Sequence, residues 1–344
     1  MDLGVHADRA GLFVAISQAG YLAGLIGFLP LGDVADRRRL APLLFAATGA
    51  GLLCAAAAST PLWLGAALLG VGATATVTQM LVTIAADRAE PGSRGRVIGT
   101  VASGAVMGVL LSRTVAGLVG EAAGWRAVYV LAGGVVLLTA VLLHRRLPPM
   151  PPRPGTTYRG QLRSVLSLLR DLPVLRTASL HGALTFAAFS MLWSTLALML
   201  ASPPYRYSEG IIGLFGLAAA GGVLGARSAG SLHDRGYGRV LRRGALVLGA
   251  AAFGVLVFGR ESVVAVVVGI VVVDLAVQLV QITNQSSIFE TSAPRGALTT
   301  AYMTSRFVGG AAGSGLGVIV YPWLGWKGVA VTGAILFLLP LSRA

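Results

Sequence analysis

Apolar runs of about twenty residues, set apart by short arginine-rich loops, constrain this chain more than any other feature. A bilayer core of about 30 Å takes about 20 helical residues to cross. Lipid offers backbone amides no partner, so runs of this kind must satisfy their hydrogen bonds internally, as helices. The reading places spans at residues 11–31, 41–58, 62–86, 97–119 and 125–143. After a break it places them at 177–200, 209–230, 243–259, 262–287, 296–320 and 326–341. The expected fold class is an all-α polytopic membrane protein with about 11 transmembrane helices. Charged residues make up only 12% of the 344, where a soluble domain carries about 25%, so a soluble globular fold is excluded.

The basic residues divide unevenly between the loops. Of the 27 Lys and Arg, 19 fall on one side of these spans, 5 on the other and 3 inside them. The richer side holds Arg37–Arg39, Arg88, Arg94, Arg96, the set from Arg145 to Arg176, and Arg235 to Arg243. Retention of positive loops in the cytoplasm predicts that this side faces inward, in a bacterial inner (plasma) membrane. It also accounts for the net charge of +14 without nucleic acid. Cys54 is the single cysteine, which leaves no internal disulfide and no cysteine metal site. His6, His144, His181 and His233 lack ligand spacing, so neither metal nor cofactor is expected. Met1-Asp2-Leu3 lacks a basic start, and no cleaved leader is expected.

Residues 144–176 form the long break, and divide the chain into an N-terminal bundle (1–143) and a C-terminal bundle (177–344). The break opens with Pro148, Pro149, Pro151, Pro152 and Pro154, an extended spacer. Tyr158–Arg170 then sets Leu162, Val165, Leu166 and Leu169 on one face and Arg159, Arg163 and Arg170 on the other. That pattern suits an amphipathic helix lying on the membrane surface.

The two bundles repeat each other. Gly32-Asp33-Val34-Ala35-Asp36-Arg37-Arg38-Arg39 is a charged knot between apolar runs, and Gly230-Ser231-Leu232-His233-Asp234-Arg235 echoes it. Asp36 and Asp234 lie 198 residues apart. Arg94-Gly95 matches Arg295-Gly296, Gly108 matches Gly309, and Gly124-Trp125-Arg126 matches Gly325-Trp326-Lys327, all at an offset of 201. Two equivalent bundles with a site between them is the logic of secondary transporters.

The first knot resembles the signature loop of the major facilitator superfamily, of the form G-x-L-A-D-R-x-G-R-R, between that family's second and third spans. It departs from the form in Asp33-Val34 and in the missing Gly before the last arginines. The second knot is similar to the equivalent loop between spans eight and nine. Gly104, Gly108 and Gly117 resemble the glycine-rich fifth helix of the family's antiporters, with Ser112-Arg113 where that motif has Gly-Pro. The resemblance covers essentially the whole chain. Within the family it is nearest to the bacterial arabinose-efflux-permease-like or drug-efflux-like branch. It implies two six-span bundles. Counted from the first knot, it also implies that the first span is missing here, through a start placed too late or a degraded gene. For Gly32, Asp33, Asp36, Arg37, Gly230, Asp234 and Arg235 it implies a gating-loop role in which the aspartate helps lock one state. From the residues alone, the same knots read as retention signals with a helix-ending turn.

Asp274, Gln278, Gln281 and Gln285 recur at spacings that put them on one helix face, with Asn284 beside them. A mid-span charge costs about 2.5–3.5 kcal/mol to insert, so Asp274 should face a cavity or a partner. Arg306 falls at a similar depth in the next span, which leaves two readings: a buried ion pair, or a substrate and proton site that Arg306 tunes. Gln79, with Thr83, and Arg113 are further cavity candidates, while Gln18 and His181 read as helix–helix contacts.

No nucleophile, metal set or carboxylate pair converges, so an enzyme is not expected. The expectation is a monomeric secondary transporter of a small organic solute, working by alternating access as a proton-coupled efflux antiporter. The alternatives are an uptake symporter for a sugar or organic acid, and a truncated remnant that no longer transports. Its partners are the small-molecule substrate, protons and the lipid bilayer.

Overall fold

The structure is a computed structural model that describes residues 10–90, 93–150, 157–218 and 232–343. Among the described residues there are helices and turns and no strand. In the first repeat these are α1 (Ala10–Gly27), a single turn α2 (Leu31–Val34), α3 (Arg37–Ala56), α4 (Pro61–Ala75), α5 (Val77–Arg88) and α6 (Arg94–Arg146). The linker helix α7 (Tyr158–Asp171) follows. The second repeat brings α8 (Pro173–Ala201), α9 (Glu209–Ala218), α10 (Gly238–Leu256), α11 (Val263–Phe289) and α12 (Arg295–Leu338). The rest of the span expected at 209–230, Gly230 included, lies outside the described residues.

Local chemistry sets the helix starts. Asp36 is extended (φ −65°, ψ 110°) and its carboxylate accepts the Arg38 amide, which opens α3. Thr60 accepts the Trp63 amide with Pro61 at the first helical position, and Ser262 accepts the Ala265 amide. Each satisfies an amide that the helix cannot pair itself. Six helices among the described residues are long and apolar enough to cross a membrane. The sequence pattern separates 97–119 from 125–143 and 296–320 from 326–341. In the fold each pair is joined end to end, with no loop between. The joints are Gly124 (φ 80°, ψ 166°) and Gly325 (φ 63°, ψ −163°). A positive φ costs glycine little, so one residue turns the chain and a new helix starts at once.

The two repeats keep one register at several places. Starts at Arg37 and Gly238, and at Arg94 and Arg295, are 201 residues apart, as are the two glycine joints. Both joints carry the same closure. Arg126 donates through Nη2 to the Ala58 carbonyl, just past the end of α3, at 3.1 Å. Trp326 donates through Nε1 to the Leu256 carbonyl, the last residue of α10. In each case a side chain at the start of one helix donates to a carbonyl at the end of another, and the Leu256 carbonyl also accepts the Gly259 amide at 2.9 Å.

The chain forms two compact units. The first takes Met1–Ile84, Val115–Leu168 and Pro294–Thr300, and the second takes Ala85–Thr114, Leu169–Ala293 and Ala301–Ala344. In the first unit α1 packs on α4 so closely that a Cβ at Gly20, Gly24 or Gly72 would strike the backbone of Leu69, Ala73 or Ser17. In the second unit, Gly309 and Gly313 press α12 onto the carbonyls of Ala183 and Ala187 on α8 in the same way. Small residues four apart let membrane helices gain van der Waals contact where no hydrophobic force separates protein from lipid. The apolar core of the second unit runs through Leu192, Leu246, Phe253, Ile270, Trp326 and Phe337. Large apolar side chains also stand outward, among them Leu62 and Trp323 at 85% and 84% exposure. That is the surface a lipid solvent favours.

Candidate functional site

The first knot is a tightly pinned turn. Arg37 is buried and donates through Nε to the Gly32 carbonyl, closing the turn on itself. A Cβ at Gly32 would meet Met80 Cε at 3.0 Å, so the glycine lets α5 approach. The Asp36 carboxylate accepts the Arg38 amide at 2.9 Å and lies 3.4 Å from the Met150 amide of the linker. The Tyr158 hydroxyl donates to the Gly27 carbonyl at 2.9 Å, fastening α7 to the end of α1. On α7 Leu166 stays 75% exposed, an apolar face turned outward as a surface-lying helix needs. The Asp33 side chain lies outside the described residues.

The second knot is built differently. Asp234 and Arg235 sit on a wide helical turn, His233–Tyr237, in which Gly236 has φ 89°. Asp36 directly precedes α3, whereas Asp234 lies four residues before α10. It therefore does not cap its own helix. Its Oδ2 accepts the Arg96 amide at 3.2 Å, in the first turn of α6. A carboxylate there meets unpaired amides and the positive end of the helix dipole. Arg235 is exposed.

In the first repeat, Gln79 is half-buried and donates to the Tyr21 hydroxyl at 3.0 Å, joining α5 to α1. Thr83 returns its hydroxyl to the Met80 carbonyl at 2.8 Å. Thr48 and Thr74 bridge α3 and α4 at 2.8 Å. These groups are satisfied within the protein. Arg113 lies on α6, with its side chain outside the described residues.

The second repeat holds the larger polar cluster. Asp274, Gln278 and Gln281 are half-buried along α11, and Asn284 and Gln285 fully buried. Asn284 donates through Nδ2 to the Ala178 carbonyl on α8 at 3.2 Å. Arg306, on α12, is buried with its guanidinium carbon 4.1 Å from the Phe186 ring centre. Phe186 in turn stacks on Phe189 at 5.5 Å and meets Phe307 edge-on at 5.3 Å, so the arginine sits against an aromatic wall. Tyr302 and His181 lie against the Asn284 side chain, while buried Gln285 Nε2, Ser179 Oγ and Ser286 Oγ find no hydrogen-bond partner among the described residues. Native proteins rarely leave such groups unmatched without functional cause.

The sequence reading missed Tyr302 and Ser179. Tyr302 lies one helical turn before Arg306, and Thr299 one turn before that, so an α-periodic polar stripe on α12 is the signal that marks it. Ser179 has no such signal, since it joins the cluster only through the packing of α8.

A family model described as "Major Facilitator Superfamily" matches residues 1–314. An uncharacterized transporter of Escherichia coli O157:H7, YgaY, is 43% identical over 343 residues, covering 99% of this chain and 86% of that one. Two solved structures share the fold. The human organic anion transporter MFSD10 superposes with a TM-score of 0.74 at 22% identity, over 96% of this chain and 82% of that one. The Escherichia coli fucose:proton symporter FucP does so with 0.73 at 15% identity, over 98% and 90%.

Proposed function

This chain belongs to the major facilitator superfamily, and from that premise we infer that it exports a small organic solute by alternating access, driven by a proton gradient. It is a multi-pass membrane transporter. The finer reading rests on the buried cluster of the second repeat, where amide, hydroxyl and guanidinium groups lie beside an aromatic wall. Such a mixture suits an amphipathic molecule, with an apolar body against Phe186 and Phe189 and a polar end at Asn284, Gln285 and Tyr302. Asp274, a half-buried acid on the same helix, is the group that binds and releases the proton. The two bundles, 1–143 and 177–344, alternate about the solute as one monomer in the plasma membrane, with the arginine-rich knots in the cytoplasm. Asp234 on the first turn of α6 holds one of the two states, and its release accompanies the change to the other.

The test is solute flux in proteoliposomes across a compound panel, with and without an imposed pH gradient. The wild type should move at least one compound faster with the gradient. Asp274→Asn should keep gradient-free exchange of that compound and lose the acceleration. Acceleration that survives in Asp274→Asn removes the proton role from this residue and leaves it a structural one.

A further inference from the structure

A second polar site lies away from the cluster just described, at the end of the second unit where α8 and α10 begin and α11 ends. It is a cavity of about 540 Å³, lined by Arg239, Arg242, Arg243, His233, Ser287 and Glu290 among others. Arg242 and Arg243 stand three and four residues after Arg239 on α10, each one helical turn from it. Like charges at that spacing repel, and Glu290 is the single carboxylate in the lining, where it meets His233 at 3.0 Å. The lining therefore carries a formal excess of +2 before any charge on His233. The start of α8 adds to it. Leu172, at the start of α8, supplies no side-chain cap, so the positive end of that helix dipole faces this end. Most telling, the Arg242 Nε is buried and finds no hydrogen-bond partner among the described residues. A guanidinium N–H withdrawn from water without an acceptor is unfavourable unless a guest supplies one.

We propose that this cavity binds a phosphate-bearing anion, held chiefly by the Arg239–Arg242–Arg243 face. A phosphate monoester carries about −1.5 to −2 charges and three strong acceptor oxygens, which matches the excess charge and the number of donors. A carboxylate would leave both charge and volume unfilled. Arginine forks are suited to phosphate oxygens. The site is independent of whichever solute the protein transports. Two sources carry this chemistry: the headgroup of an anionic phospholipid, since basic pockets at the ends of membrane helices take such headgroups, and a soluble phosphate compound.

The experiment uses the purified full chain in nanodiscs and reads its thermal unfolding temperature. One arm compares phosphatidylcholine discs with discs that include phosphatidylglycerol. The other titrates inorganic phosphate against matched chloride into phosphatidylcholine discs. A rise with phosphatidylglycerol alone identifies a lipid headgroup; a saturable rise with inorganic phosphate identifies a soluble anion; either supports the site. Arg242→Gln, and separately the exposed Arg239→Gln, should weaken the apparent affinity about tenfold. Arg145→Gln, a basic residue of the first unit, should leave it unchanged. The proposal is overturned if neither addition raises the wild-type temperature. It is overturned equally if Arg145→Gln weakens the effect as much as the two cavity variants do.

Discussion

Asp36 and Asp234 hold matching places in the two repeats and make different contacts. The flanking helices are offset by 201 residues and the aspartates by 198, so three more residues separate Asp234 from its helix. Gly236, at φ 89°, lets the chain take up that excess as a wide turn. Asp36 is consumed in starting α3, whereas Asp234 is carried away from α10 and reaches the first turn of α6. A small insertion in one copy of a duplicated element thus converts a local cap into a long-range contact. The polar interiors diverge in parallel. The first repeat pairs Gln79 with Tyr21 and Thr48 with Thr74, and the second leaves Gln285 and Ser286 with atoms unmatched among the described residues.

The largest effect expected from this divergence is at a matched glycine pair. Gly309→Ala drives a methyl into the Ala183 backbone and should cost about 3 kcal/mol, as overpacking does. Gly108→Ala meets nothing described within 4 Å and should keep or raise the unfolding temperature, since alanine is the better helix former. Equal losses at both would end the claim that the copies pack differently here. Next come the glycine joints. Trp326→Phe removes one of two donors to the Leu256 carbonyl, the Gly259 amide remaining, at about 1.5 kcal/mol. Trp125→Phe should cost less than half as much, because Arg126 makes the corresponding closure. Chemical or thermal unfolding of the pair in one detergent decides it. The smallest expected effect is at the knots. Asp36→Ala should raise amide exchange about fivefold in the first turn of α3, the equivalent of a lost N-cap of about 1 kcal/mol. Asp234→Ala should raise it instead in the first turn of α6. Exchange that rises in α6 for both variants would show the two aspartates to be interchangeable.

Much of this was legible in the chain. The apolar runs marked the helices, because lipid allows no other way to satisfy the backbone. Gly124-Trp125-Arg126 and Gly325-Trp326-Lys327 marked the repeat, but not that each glycine joins two helices without a loop, which depends on its positive φ. Asp274, Gln278, Gln281 and Gln285 stood out because polar residues are costly within an apolar run. Other features were hidden. Tyr302 and Ser179 are common residues of helix-packing faces, and their part in the cluster becomes visible only when α8, α11 and α12 are placed together. The reach of Asp234 to Arg96 was hidden for the same reason, since the partner lies 138 residues away. The arginine cavity was read as plain charge retention, because sequence alone counts charges without showing that three of them line one cavity.

The central claim is that the second repeat carries the solute site. The most direct measurement compares Gln285→Leu with Gln79→Leu in reconstituted flux of one transported compound, with unfolding temperature as the control for folding. Gln285 offers an unmatched Nε2 and Gln79 is already paired with Tyr21. The prediction is a fall of about tenfold for Gln285→Leu, the equivalent of one lost hydrogen bond to the solute, and flux within about twofold of wild type for Gln79→Leu. A fall confined to Gln79→Leu would contradict it and move the site to the first repeat.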